Sequence, residues 1–336
     1  MLLLGDSNTI EFLDAVSLAH LGFVHTGREI ESITVRPDGR MLYLALGKGM
    51  TDDWHGLSAL DLENHSLCLA VQSASFGLPS PDGRLLFTQL SSGAVDVFDA
   101  RTFEKQTAFK AFGVYNLLPS PDGRALFGIR NLPEPNLDVF DVEGRKLVAR
   151  IRIPSGPAMG VWIDRAFYLF SYGEGGGHLW RLASNSTSLP APQAVHLPDL
   201  HGDCNQPVLL TMAGAADRLF IAEVFGLSVD RRRTCTDHPP GGVFVIDRSS
   251  GRMQYRLGEG FHINRMAVSD DGNQLYVIDS PAPNDPHAIR LFRMDAWTGR
   301  IMGEHDLHLG SYSLALAHVP AGLVRHVGFS VPECKH

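Results

Sequence analysis

Short apolar stretches alternate along the chain with polar phrases, and one phrase recurs at four places. It reads Ser-Pro-Asp-Gly-Arg or a close variant, at residues 36–40, 80–84, 120–124 and, in degenerate form, 269–273. An apolar stretch precedes each copy and another follows it, as residues 33–35 and 41–44 do around the first. Pro sets φ for the first central turn position and Asp-Gly tolerates left-handed φ, so each copy predicts a β-hairpin.

A second pattern is an apolar strand that ends in Asp and is followed by a turn and another strand. The marker residues are Asp14, Asp61, Asp99, Asp141, Asp247 and Asp295. They recur about every 40 to 50 residues, with one interval of twice that length in which a marker is lost near residues 180–182. This period is typical of four-stranded propeller blades, and the chain holds seven such units.

The two ends of the chain each hold part of one unit. Residues 1–26 contain a second half, with strands at 9–13 and 18–25, and residues 312–329 contain a first half, with strands at 313–316 and 323–326. The sequence therefore predicts an all-β, seven-bladed β-propeller of one domain, residues 1–336, with blade seven shared between about 1–26 and 311–336. Blades four and five diverge most, and their long loops, 184–193 and 223–242, are expected to be functional or partner-facing.

Composition narrows the class of protein. The 336 residues are 44% hydrophobic with 34 Gly and 20 Pro, as in a soluble, turn-rich globular protein. The net charge of −8, with both signs interspersed, argues against nucleic acid as the main partner. No apolar stretch approaches the roughly 20 residues that a membrane span needs. We expect no contact with nucleic acid or membrane.

The spacing of the cysteines indicates the cellular compartment in which the protein is expected. Cys68, Cys204, Cys235 and Cys334 show neither metal-type nor CxxC spacing, which favours free thiols in a reducing compartment. The residues at the start of the sequence lack the basic region of an export signal. A cytoplasmic protein is therefore expected, with a periplasmic one and a Cys204–Cys235 bridge as the alternative if the sequence is a mature form.

The Pro-Asp-Gly-Arg hairpins, the marker turns and the segment 245–251, Val-Ile-Asp-Arg-Ser-Ser-Gly, resemble the YVTN-type seven-bladed β-propellers over the whole chain. The half-blade start and the segment 310–315, Gly-Ser-Tyr-Ser-Leu-Ala, are similar to propeller subunits of quinoprotein amine dehydrogenases, namely the quinohemoprotein β chain and the methylamine dehydrogenase heavy chain. The resemblance implies a scaffold subunit that docks a small subunit bearing a tryptophan-derived quinone and helps wall its substrate cavity. It implies no cofactor in this chain.

The residues around the first strand of each unit are candidates for chemistry, because these strands line the mouth of a propeller's central channel. The acid–base candidates are His262 and His308, since imidazole titrates near neutral pH, with Tyr115 and Glu31 completing the catalytic set. The candidate substrate contacts are Arg28, Asn116, Asn205, Asn264, Tyr312 and, from a loop after a second strand, Trp54.

Two alternatives accompany this site. Glu31, Asn116, Asn205 and Asn264 offer oxygen ligands suited to calcium or magnesium, but their spacing is imperfect, so a metal is not favoured. The same polar groups would also satisfy backbone amides and channel waters without any chemistry.

Three functions remain open. The first is a partner-dependent subunit of an amine-dehydrogenase-type oxidoreductase. The second is a stand-alone lyase, isomerase or lactone hydrolase with its site at the mouth, and the third is a non-catalytic interaction propeller. The expected partner is accordingly a small-molecule substrate or a protein subunit at the mouth.

Overall fold

The structure, a computed structural model, describes most of the chain. The described residues are 1–6, 8–47, 56–72, 74–90, 94–110, 114, 116–130, 134–154, 158–173, 176–197, 210–223, 242–279, 289–307, 312–317, 319, 323–324 and 329–330. Their regular structure is entirely β-strand, and the fold is the all-β, seven-bladed β-propeller that the repeat predicted. Within these ranges no helix is long and apolar enough to cross a membrane.

The strands follow one another in the sheets as they do in the chain. The last blade receives β1 (Leu2–Asp6), β2 (Thr9–Leu13) and β3 (His20–His25). Blade 1 holds β4 (Ile30–Val35), β5 (Met41–Leu46), β6 (Gly56–Asp61) and β7 (Ser66–Gln72). Blade 2 holds β8 (Ala74–Pro79), β9 (Leu85–Leu90), β10 (Ala94–Asp99) and β11 (Lys105–Lys110). Blade 3 holds β12 (Asn116–Pro119), β13 (Ala125–Arg130), β14 (Asn136–Asp141) and β15 (Lys146–Arg152).

The remaining strands repeat the same order. Blade 4 holds β16 (Ala158–Ile163), β17 (Ala166–Gly173), β18 (Gly176–Ala183) and β19 (Gln193–Val195). Blade 5 holds β20 (Leu210–Ala215), β21 (Arg218–Glu223), β22 (Val243–Asp247) and β23 (Met253–Leu257). Blade 6 holds β24 (Ile263–Val268), β25 (Gln274–Asp279), β26 (Arg290–Asp295) and β27 (Ile301–Asp306). The last strands are β28 (Tyr312–Leu316) and β29 (Phe329–Ser330).

Both ends of the chain complete blade 7, as predicted, but in a different proportion. Its strand order is β28-β1-β2-β3-β29, with Leu4 of β1 opposite Leu314 of β28. The N-terminal segment therefore supplies three strands rather than two. The strand expected at 323–326 is wrong where the structure describes it, because Leu323 and Val324 lie in a bend.

The core lies between neighbouring blades, because second strands are apolar on both faces. In β21, Leu219 and Ile221 pack in a cluster with blade 4 residues, whereas Phe220 and Ala222 pack in a cluster with blade 6 residues. Successive side chains of a strand point to opposite faces, so one short strand contributes to two cores. All four are fully buried.

The chain resolves into two compact units. One comprises Met1–Leu126, Phe140–Leu147 and Leu309–His336, and the other comprises Phe127–Val139 and Val148–His308. Blade 3 contributes residues to both. The single domain expected for 1–336 stays a prediction.

The repeated Pro-Asp-Gly phrase forms the predicted hairpin turn, with one difference in detail. The Gly83 amide donates to the Ser80 carbonyl at 2.8 Å, and the Ser80 hydroxyl donates to Asp82 Oδ1 at 2.6 Å. Only the glycine takes positive φ, +70° at Gly83. Asp82 is thus the hydrogen-bond acceptor that closes the turn rather than a left-handed residue.

The marker Asp caps a turn whose fifth residue is left-handed. The hydroxyls of Ser249 and Ser250 and the Ser250 amide donate to Asp247, and they lower the pKa of its carboxyl to about 2. The residue four positions after the marker has positive φ in six turns: Leu18, His65, Phe103, Arg145, Gly251 and Gly299. In four of these turns it is not glycine, which costs stability.

Arg145→Gly should therefore stabilise the protein by about 0.5–1 kcal/mol, because glycine adopts left-handed φ without the penalty that the exposed Arg145 bears at +54°. Urea unfolding of both proteins measures the difference. The reciprocal variant, Gly299→Ala at φ +69°, should destabilise by a similar amount. Equal stability of Arg145→Gly and the parent would contradict the argument.

Cys68 corrects one expectation from the sequence. It lies in β7 and is disulfide-bonded, so the predicted free thiol is wrong for this residue. Cys204, Cys235 and Cys334, and with them the alternative Cys204–Cys235 bridge, lie outside the described residues.

Candidate functional site

Among the strand pairs that the structure describes, blades 1, 2 and 6 carry an extra residue near the start of their first strand. In β4 the register passes from Ile30–Leu46 to Ser32–Ala45, which leaves Glu31 unpaired in the ladder. Ser75 of β8 and Asn264 of β24 are inserted in the same way. A bulge bends its strand and redirects the inserted side chain, and bulges are frequent next to active sites.

These bulges have a sequence signal that the hairpin phrase itself does not contain. Each inserted residue lies seven positions before the Asp of its hairpin turn, as 31 precedes 38, 75 precedes 82 and 264 precedes 271. The same offset from Asp122 selects Tyr115, which lies outside the described residues. Glu31, Tyr115 and Asn264, chosen for their polarity, thus occupy one repeated position.

In blade 1 the Glu31 carboxylate lies directly against Gly47, just after β5. A Cβ at position 47 would overlap the Glu31 carboxyl group. The Gly47 amide donates to the Glu29 carbonyl at 2.9 Å, and the Thr26 hydroxyl donates to the Arg28 carbonyl at 2.8 Å. The absence of a side chain at 47 therefore provides the space that Glu31 occupies.

In blade 6 a polar cluster surrounds the bulge. The His262 amide donates to Asp279 Oδ1 at 2.7 Å, and Asp279 is only 9% exposed. Arg265 Nη1 donates to the Asn264 carbonyl at 3.0 Å and to its Oδ1 at 3.1 Å, and burial lowers the pKa of Arg265. A guanidinium only donates, so it holds Asn264 Oδ1 and turns the amide NH₂ group away as a hydrogen-bond donor. Sequence reasoning had not selected Arg265 or Asp279.

The other candidates divide between described and undescribed residues. Arg28 lies two residues before β4, and the half-buried Asn116 begins β12. Tyr312 begins β28, but its side chain lies outside the described part of the structure. Trp54, Asn205 and His308 lie outside it entirely. Arg28, Glu31 and Asn116 belong to one compact unit and His262 and Asn264 to the other. Their meeting at a common mouth stays a prediction.

The metal alternative concerns the same positions. Among the residues that the structure describes, no group of three or more His, Cys, Asp and Glu could hold a metal ion. The ligand set considered from the sequence consists of Glu31 and three asparagines, one of which, Asn205, is undescribed.

Comparison with known proteins supports the fold. No protein-family model and no curated protein matches the chain. It is similar to the structure of Kuenenia stuttgartiensis hydrazine synthase, with a TM-score of 0.57 and 16% identity over 80% of this chain and 76% of that chain. It is also similar to dihydro-heme d1 dehydrogenase NirN in complex with DHE, with a TM-score of 0.59 and 14% identity over 91% of this chain and 73% of that chain. These observations place the chain among the β-propeller proteins.

Proposed function

We propose that the chain is the propeller subunit of an amine-dehydrogenase-type oxidoreductase, docking a partner subunit and walling its substrate cavity. The observation that carries the proposal is the repeated bulge, which sets Glu31 and Asn264 at the starts of first strands in two blades. A neighbouring residue positions each side chain. Gly47 leaves the space that the Glu31 carboxylate occupies, and Arg265 donates a hydrogen bond to the Asn264 amide oxygen. The Glu31 carboxylate accepts charge-assisted hydrogen bonds and so suits an ammonium-bearing substrate. The Asn264 amide NH₂ group suits an acceptor on a substrate or on a partner.

The proposed oxidoreductase role is supported by similarity to other propeller proteins. One structure to which the chain is similar is that of a dehydrogenase, NirN. The amine dehydrogenase propellers, which the sequence resembles, work with a quinone held by another subunit. In this proposal the chain brings no cofactor, and the partner supplies the electron acceptor.

The location is proposed to be an oxidising compartment such as the periplasm. The disulfide of Cys68 supports this, because disulfides persist where thiols are not kept reduced. The cytoplasmic location expected from the sequence would require this disulfide to be transient or absent. Counting free thiols by alkylation and mass spectrometry of protein isolated from its source organism distinguishes the two.

Glu31→Ala should lower dye-linked amine oxidation by the complex, isolated from the source organism through a tag on this chain, by about tenfold. The lost carboxylate removes one charge-assisted contact with an ammonium group. Gly47→Ala should act in the same direction, since the added Cβ displaces the Glu31 carboxyl group without removing it. Glu143→Ala, an exposed glutamate in a turn of blade 3, is the matched control and should leave activity unchanged. Full amine oxidation by the purified chain alone would overturn the proposal.

A stand-alone acid–base enzyme is the second candidate, and the His262–Asp279 contact is the observation that favours it. Asp279 fixes the backbone that presents the His262 imidazole. In that case a lyase, isomerase or lactone hydrolase activity would reside in the purified chain and fall when His262 and His308 are both replaced by alanine. Activity that persists in that double variant would count against it.

A further inference from the structure

A cavity of about 540 Å³ opens at the turn end of blade 4, and none of the candidate residues above lines it. Its lining combines apolar groups with arginines: Ile163, Asp164, Arg165, Ala166, Tyr168, Arg181, Leu182, Ala183 and Arg248. Tyr168 and Leu182 are buried, whereas Arg165 and Arg181 are exposed. The cavity thus has an apolar floor and a basic rim.

Blade 4 departs from the repeat at this cavity. A two-residue turn, Asp164-Arg165, joins Ile163 to its partner Ala166 in place of the longer Pro-Asp-Gly turn. Ala183 pairs with the first residue of the second strand, the register at which Asp61, Asp99 and Asp295 stand in blades 1, 2 and 6. The shorter turn and the missing marker carboxylate coincide at one place. Such local departures from a repeated pattern are expected at functional sites.

The charges of the cavity are unbalanced. Three arginines face one aspartate, Asp164, whose Oδ2 lies 3.0 Å from Arg248 Nη1. In the described part of the chain no ion pair involves Arg165 or Arg181. Arg248 also lies over the Tyr168 ring, 5.6 Å from its centroid, which fixes the guanidinium above the apolar floor. The rim is therefore positive in a chain whose net charge is −8.

We propose that this cavity binds a small organic anion whose phosphate or carboxylate group is held by Arg165, Arg181 and Arg248, and whose apolar body packs on the accessible Ala166 and Ala183. The planar guanidinium groups match oxyanions in geometry and charge. An apolar floor with a few directed polar groups is the usual composition of a small-molecule site. The site is independent of the proposed redox role, because none of its residues belongs to the first-strand bulges.

Calorimetric titration of the full chain with phenyl phosphate and with inorganic phosphate tests the proposal. Phenyl phosphate should bind, and inorganic phosphate should bind about tenfold more weakly because it cannot use the apolar floor. Arg181→Ala and Arg165→Ala should each weaken phenyl phosphate binding by about tenfold or more. Arg124→Ala, an exposed arginine next to the blade 3 turn, is the matched control and should leave it unchanged.

Two results would overturn the proposal. One is the absence of binding of either probe to the parent chain. The other is phenyl phosphate binding that survives both Arg165→Ala and Arg181→Ala. Equal binding of the two probes would contradict the role of the apolar lining. Both arginines are exposed, so the variants should fold, and unchanged thermal melting verifies this.

Discussion

Arg218→Ala should lower the free energy of unfolding by about 3–5 kcal/mol, one of the two largest effects expected for a single substitution in this protein. Arg218 begins β21 and is only 1% exposed. Its guanidinium donates to the Ala296 carbonyl at 2.9 Å, the Gly272 carbonyl at 2.5 Å and the Tyr255 hydroxyl at 2.9 Å. The Trp297 ring covers it, with the guanidinium carbon 3.6 Å from the ring centroid.

The size of the effect follows from what the arginine connects. Gly272 belongs to the hairpin turn of blade 6, and Ala296 follows the marker Asp295 of the same blade. The Arg218 side chain of blade 5 therefore donates hydrogen bonds to both turns of blade 6. Alanine would leave the buried Gly272 carbonyl without the guanidinium donor and open a cavity beneath Trp297. The Ala296 carbonyl would lose one of two donors and keep the Tyr255 hydroxyl at 3.0 Å. Lysine has donors but no planar fork, so Arg218→Lys should recover only part of the loss.

Urea unfolding followed by tryptophan fluorescence measures the change. Arg252→Ala is the matched control, because Arg252 lies exposed in a turn of the same blade, and it should change stability by less than about 0.5 kcal/mol. A loss for Arg218→Ala as small as that of Arg252→Ala would show that the buried contacts carry no stability.

Arg218 also shows where prediction from the sequence ends. The hairpin phrase and the marker Asp predict strand order and period because they act within a few residues of themselves. Arg218 finds its partners 37, 54 and 78 residues away. No local pattern distinguishes it from the exposed Arg252, so its burial could be known only from the packed blades.

The strand β1 was missed for another physical reason. Leu2, Leu3 and Leu4 are at most 1% exposed, so both faces of this strand are buried and its sequence is a continuous apolar run. Alternation of apolar and polar residues reveals only strands with one solvent-exposed face. A short continuous apolar run does not distinguish a buried strand from a buried helix segment. Of the candidate residues, Glu31 and Asn264 lie at strand starts because the repeat places them there, and their role in a site stays a prediction. Their neighbours Gly47 and Arg265 come from pairings that only the structure shows.

Asp138→Ala should destabilise the protein by about 3–5 kcal/mol, because it leaves cations without their buried counter-charge. The Asp138 side chain is fully buried in β14. Arg150 reaches it through two contacts of 2.7 and 3.0 Å, and Arg130 through one of 3.0 Å. Arg150 is half exposed and can turn to water, whereas Arg130 is 16% exposed and cannot do so easily.

Removing the cations together with the anion separates two explanations of that loss. If the cost arises from unpaired charge, the triple variant Asp138→Leu, Arg130→Met, Arg150→Met should regain most of the stability, since apolar residues of similar volume replace buried ion pairs with little loss. Arg150→Ala alone should cost less than Asp138→Ala, because Arg130 still pairs with the carboxylate. Urea unfolding of the four proteins compares them. A triple variant as unstable as Asp138→Ala would mean that the ion pairs themselves, rather than the avoidance of a buried lone charge, stabilise blade 3.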